Sequence, residues 1–327
     1  ERQKLLTMQA AADHEKSRKT EKAVAVHAYV PSFLSIKAQQ IHNWAEGNLD
    51  SRKHLPVLLR RLIHSTGHDL REVDFPGYDN AERKGWDGVI EADAATPWIP
   101  DGKSGWEFSV DRNPRAKAEK DYAARLASVP AAERAKCTFV FVTPRNWPGK
   151  TAWAKEKNAA CDWKEVKALD ASDLEQWLEE SIPAQIWLAE KLSMQITGFE
   201  TLDRCWQRWA AGSEPQMTPE IFEPSITAHR KLFKEWLEKG SDRPFVISAD
   251  SKDEALAFLA CLFQDADTAL RSKDLVAVFE SAPILRTLAR SSSPFIPVVT
   301  TDEAERELVT VYPVSYTHLT LPTNREV

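Results

Sequence analysis

The segment KGWDGVIEADAATPWIPDGKSGWEFSVDRNPRAKAEKDY (residues 84–122) carries two acids and a lysine-bearing helix start within one neighbourhood. Asp87 lies in the turn-like GWDG at residues 85–88, and Glu107 interrupts the short apolar run WEF at residues 106–108. Pro114 suits the first position of a helix, which puts Lys117 in the first turn and Lys120 almost one turn later. Two acids and a lysine are the set that metal-assisted phosphodiester cleavage requires.

Working outward, the apolar positions Ile36, Ala38, Ile41 and Trp44 recur at helical spacing, and Leu55, Val57, Leu58, Leu59, Leu62 and Ile63 form a second helical face. Arg60, Arg61 and His64 fall on the other side of that helix and read as a solvated face. Residues 70–75, 86–91 and 105–110, separated by Pro, Gly and Asp, predict a β-meander. A helix over 116–127 and a buried strand in TFVFVT (residues 138–143) come next. A helix at 152–160, a strand at 164–168 and helices at 171–180 and 183–192 complete a mixed α/β domain. Beyond Met194, helices at 199–210 and 226–239 flank a Pro-rich connector. Three strand-then-helix pairs follow, with strands at 244–249, 275–279 and 295–299. Such alternation predicts a second, doubly wound parallel α/β domain, cut short. The organisation expected is a polar lead-in at 1–34, a first domain at 35–195, a helical linker at 196–240, a partial domain at 241–312 and a tail at 313–327.

The 327 residues, 43% hydrophobic with only 11 glycines, suffice for two packed domains. A net charge of −6 gives no global attraction to nucleic acid, so any such contact needs a local basic patch. Cys137, Cys161, Cys205 and Cys261 show no CxxC spacing, which points to reduced thiols in a cytoplasmic protein. No apolar run approaches the length of a membrane span. The histidines show neither HxH nor HExxH spacing, and no GxSxG elbow is present. The opening Glu1 and the closing PVSYTHLTLPTNREV, which resembles a translated sequencing-adapter peptide, suggest a fragment of a longer reading frame with an artefactual tail.

A carboxylate inside an apolar strand costs several kcal/mol unless it is paired or binds metal. Strand alternation turning Glu107 to solvent is the simplest alternative. Trp86, Trp98, Trp106 and Trp147 are read as core and rim packing rather than a base-stacking surface.

The helix before a meander, the Asp of GWDG, the WEFS strand, the next helix and the TFVFVTP strand together resemble the PD-(D/E)xK restriction-endonuclease-like superfamily, over roughly residues 36–192. The resemblance implies a restriction-endonuclease-like mixed sheet flanked by helices, with Asp87 and Glu107 holding Mg²⁺ or Mn²⁺. Ser109 stands where the family pattern places lysine. Some members carry that lysine on the following helix, which makes Lys117 and Lys120 candidates, with Lys117 favoured for its place beside the strand end. Lys103, Arg112 and Arg115 are weaker candidates for DNA phosphate contact, and Glu46 for an outer metal contact.

In the second domain, the strand-to-helix passage FVISADSKDEA (residues 245–255) occupies the place of a phosphate-binding loop without its glycines. Asp250, Asp253 and Glu254 would repel phosphates there, and Lys252 alone does not compensate, so ATP binding is not expected. The segment resembles a degenerate form of the ATPase modules that bacterial antiviral STAND proteins place behind an effector nuclease. The expected function is a Mg²⁺-dependent DNA endonuclease effector in antiviral defence, as a homodimer or higher oligomer. The alternative is a catalytically inactive nuclease fold serving nucleic-acid binding or protein interaction.

Overall fold

The computed structural model describes residues 33–76, 85–239, 244–265, 270–288, 293–311 and 319–320. Residues 32–327 form one unit, which holds two five-stranded sheets.

Two helices, α1 (Ala38–Gly47) and α2 (Ser51–Thr66), lead into the first sheet. Strands β1 (Leu70–Asp74), β2 (Gly88–Ala92) and β3 (Gly102–Phe108) form the expected antiparallel meander. The chain then runs through α3 (Pro114–Ser128) and the short α4 (Ala131–Arg134) into β4 (Cys137–Val142), which pairs parallel with β3. Helix α5 (Lys150–Ala159) precedes β5 (Glu165–Leu169), parallel to β4, and α6 (Ala171–Glu179) and α7 (Ile182–Lys191) close the lobe. The sheet is mixed, in order β1-β2-β3-β4-β5.

Alternation along the strands covers this sheet on both faces. Ile90, Trp106, Val140 and Val142 pack with α1, α2, α6 and α7. Phe139, Phe141 and Val166 pack on the other face with Ala118 and Tyr122 of α3 and Trp153 of α5. Trp98, Trp106 and Trp147 are buried, as the packing reading expected.

The second sheet gathers β6 (Phe199–Glu200), β7 (Phe245–Val246), β8 (Val276–Phe279), β9 (Ile296–Val299) and β10 (Leu319–Thr320), in order β6-β8-β9-β10-β7. Around it lie α8 (Leu202–Ala210), a 3₁₀ turn (Pro219–Phe222), α9 (Glu223–Lys239), α10 (Lys252–Asp265), α11 (Leu270–Leu275), α12 (Ala282–Leu288) and α13 (Asp302–Val311). Val276 and Val278 join one apolar cluster while Ala277 and Phe279 join another, so this sheet too is covered on both faces.

Three expectations need correction. Phe199–Glu200 is not helical but an edge strand antiparallel to β8, because Thr201 starts α8 by accepting the Arg204 N–H. The sheet is therefore mixed rather than wholly parallel. Residues 319–320, inside the segment set aside as a tail, pair in parallel with both β9 and β7. Arg60, Arg61 and His64 do not form a solvated face: Arg61 and His64 are buried, and all three turn onto Asp274 of α11. Among the described residues, no helix is long and apolar enough to cross a membrane.

Candidate active site

The meander sets the two acids side by side. Gly88 pairs with Trp106 in the antiparallel register, and continuing it by one residue puts Asp87 opposite Glu107. Cross-strand neighbours of this kind have Cβ atoms about 5 Å apart. Asp87 Oδ2 accepts the Phe108 N–H at 3.1 Å. The alternation that sends Trp106 into the α2 side sends Glu107 beneath α3, where it is 2% exposed; it does not reach solvent.

A run of local turns aims α3 at the acids. Ser109 Oγ accepts the Asp111 N–H at 3.1 Å, Asp111 Oδ1 accepts the Asn113 N–H at 2.8 Å, and Asn113 caps the helix by accepting the Ala116 N–H at 3.1 Å. With Pro114 in the first turn, Lys117, Asp121 and Arg125 follow at i, i+4 and i+8 and share one face. Lys117 Nζ reaches both Asp121 oxygens, at 2.6 and 2.7 Å. Arg125 Nε donates to Glu107 Oε1, its Nη2 donates to the Gly85 carbonyl at 2.6 Å, and its guanidinium lies 5.4 Å from the centre of the Trp86 ring.

Electrostatics distinguish this pair from an ordinary surface acid pair. Burial, opposed by the Phe108 N–H and a hydrogen bond with Glu107, raises the Asp87 carboxyl above its usual range. Burial and then the Asp87 charge push Glu107 up to about 8, against the pull of Arg125. One arginine does not suffice to bring Glu107 back to the usual carboxylate range beside Asp87. A cleft of about 310 Å³ opens at Asp87, lined also by Arg52, Leu55, Phe108, Ser109, Val110, Asp111 and Lys117.

Of the residues singled out in the sequence, Asp87, Glu107 and Lys117 converge here. Lys120 is exposed on α3, and Arg112 and Arg115 are exposed near the helix start. Lys103 is exposed at the opposite end of β3, about 13 Å along the strand from Glu107. Glu46 faces His42 and Arg145, at 4.0 and 3.9 Å, and is not part of the cleft lining. Sequence reasoning missed Asp121, Arg125 and Arg52. The spacing of Lys117, Asp121 and Arg125 was a usable signal for the first two; nothing local marks Arg52.

Among the described residues, no three His, Cys, Asp or Glu side chains assemble as a metal-binding group. The Asp87–Glu107 pair still fits a hard divalent cation by donor type: it offers carboxylate oxygens, the donors Mg²⁺ prefers, in a place where burial, joined at Glu107 by the Asp87 charge, has already raised both groups. In the second lobe, Lys252 Nζ is engaged by Glu280 at 3.0 Å, and Asp253 by Arg208 at 3.1 Å. Comparison of the chain with protein-family models, with curated proteins and with solved structures found no match.

Proposed function

We propose that the first lobe is a divalent-metal-dependent endonuclease that hydrolyses DNA phosphodiester bonds, and that it acts as the effector of a larger defence protein of the STAND type. The observation that carries this reading is the cross-strand pairing of Asp87, which lines the cleft together with Lys117, with the buried Glu107. The order of helix, three-strand meander, helix and strand supports it, being the order on which the resemblance to the PD-(D/E)xK superfamily was drawn.

Asp87 and Glu107 would hold the cation, which supplies Lewis-acid polarisation of the phosphate and a better water nucleophile. Glu107 serves as a ligand only when ionised, so the site gains strength as pH rises toward about 8. Lys117, oriented by Asp121, offsets the charge that builds on the phosphate. Arg52, which also lines the cleft, would meet a neighbouring backbone phosphate.

A second reading draws on a specific observation. Arg125 on Glu107 and Lys117 on Asp121 compensate charge internally, as a nuclease fold retained for binding alone would. Plasmid nicking with Mg²⁺ by the wild type, Asp87→Ala, Glu107→Ala and Lys117→Ala separates the two. The nuclease reading expects Mg²⁺-dependent nicking that falls about 10²-fold or more in each variant. No nicking by the wild type, or equal nicking by all four proteins, leaves the binding module.

A further inference from the structure

Arg125 touches three separate parts of the acid-bearing framework. Its Nε holds Glu107 on β3, its Nη2 holds the carbonyl of Gly85 two residues before Asp87, and its guanidinium covers the intervening Trp86 ring. Gly85 has φ 104°, a conformation that glycine adopts without strain, so the turn presents its carbonyl to the guanidinium as a side-chain-bearing residue there would not. Trp86 in turn lies flat against Gly105 of β3, where a Cβ would overlap the indole. The fork of the guanidinium thus joins the strand that bears one acid to the turn that bears the other. An ammonium of equal charge offers no such planar fork.

We propose that Arg125 is a positioning residue for the acid pair: it locks Glu107 to the Asp87 turn and so sets the geometry with which the two carboxylates take a divalent cation. The inference rests on the reading of Asp87 and Glu107 as cation ligands. A residue acting only as a counter-charge would be replaceable by lysine; a residue acting through its fork is not.

Titration calorimetry with Mn²⁺ at pH 8.5 on the wild type, Arg125→Lys, Arg125→Gln and Glu107→Gln tests it. Carboxyl NMR titrations of Asp87 and Glu107 without metal, and a thermal melt of each variant, accompany the calorimetry. Arg125→Lys is expected to bind Mn²⁺ about 10–100-fold more weakly than the wild type despite its retained charge. It is also expected to change the titration of Asp87, which Arg125 does not touch. Wild-type Mn²⁺ affinity and an unchanged Asp87 titration in a folded Arg125→Lys protein would overturn the proposal. If no protein shows Mn²⁺ binding sensitive to Glu107→Gln, the cation-ligand reading fails. The Asp87 titration in Arg125→Lys then decides the positioning role by itself.

Discussion

Among the described residues, the carboxylate cluster at Asp274 and the one at Asp87 and Glu107 are neutralised in opposite ways. Asp274, fully buried on α11, meets Arg60 Nε at 2.7 Å, His64 Nδ1 at 2.8 Å and Arg61 Nε at 3.7 Å. Burial raises its carboxyl, but the His64 hydrogen bond and the Arg61 and Arg60 charges overcome this and hold it far below the usual carboxylate range. Glu107, buried, and Asp87, half-buried, are both raised, although Arg125 pulls Glu107 down and the Lys117 charge pulls Asp87 down. Burial alone therefore does not set the direction in which a carboxyl shifts; the donors and charges around it do.

The largest expected effect breaks the first cluster. Asp274→Ala leaves two arginines and a histidine around an emptied site and should cost about 3–5 kcal/mol in denaturant unfolding; a loss below about 1 kcal/mol would show that the cluster does not fasten the lobes. Because the folded Asp274 is depressed, its contribution is present above the ordinary carboxylate range and fades only as pH falls below it.

Glu107→Gln should act with the opposite sign on stability. Wild-type Glu107 is raised from 4.5 to about 8, so its contribution is complete below pH 4.5 and is lost as pH rises toward 8. The neutral glutamine escapes that loss, and the variant should be more stable by about 2–4 kcal/mol at pH 9 while matching the wild type near pH 4. Parallel stability curves from pH 4 to 9 would remove the distinction between the clusters.

Gly105→Ala, which displaces Trp86 from beneath Arg125, should cost about 1–3 kcal/mol and shift the tryptophan fluorescence. Unaltered fluorescence would mean that the Trp86 seat is not needed. The smallest effect belongs to Lys120→Ala, which should change stability by less than about 0.5 kcal/mol and leave nicking intact. A tenfold drop in nicking would move the catalytic lysine from Lys117 to Lys120.

The sequence made the first lobe readable because its signals are local. TFVFVT is a continuous apolar run and became a strand buried along its whole length, and the turn residues around the meander gave the strand order. Asp87 and Glu107 were findable because antiparallel pairing of neighbouring strands brings them together. Arg125 was harder, since its partner lies on another element and only the helical spacing from Lys117 hinted at it. The role of Arg60, Arg61 and His64 was not readable at all: their partner is more than 200 residues away, and three polar residues on a helix look alike whether they meet water or a buried aspartate. The two-residue strand β6 is likewise set by its sheet neighbour, being too short for a periodic signal, whereas β7 falls inside the strand read at 244–249.

The Asp274 cluster also bears on how separable the lobes are. Glu190 of α7 accepts from the Thr201 N–H and hydroxyl at 2.8 and 2.7 Å, and Ser293 accepts the Ile182 N–H at 3.2 Å, so the seam contains further polar ties, buried or half-buried. A chain cut near residue 195 would carry Arg60, Arg61 and His64 away without Asp274, and Glu190 without Thr201. Exchange of the first lobe for another ahead of the same second lobe would then have to carry the matching charges across the junction. The boundary drawn by the strand order is not a line along which the protein can be divided without electrostatic cost.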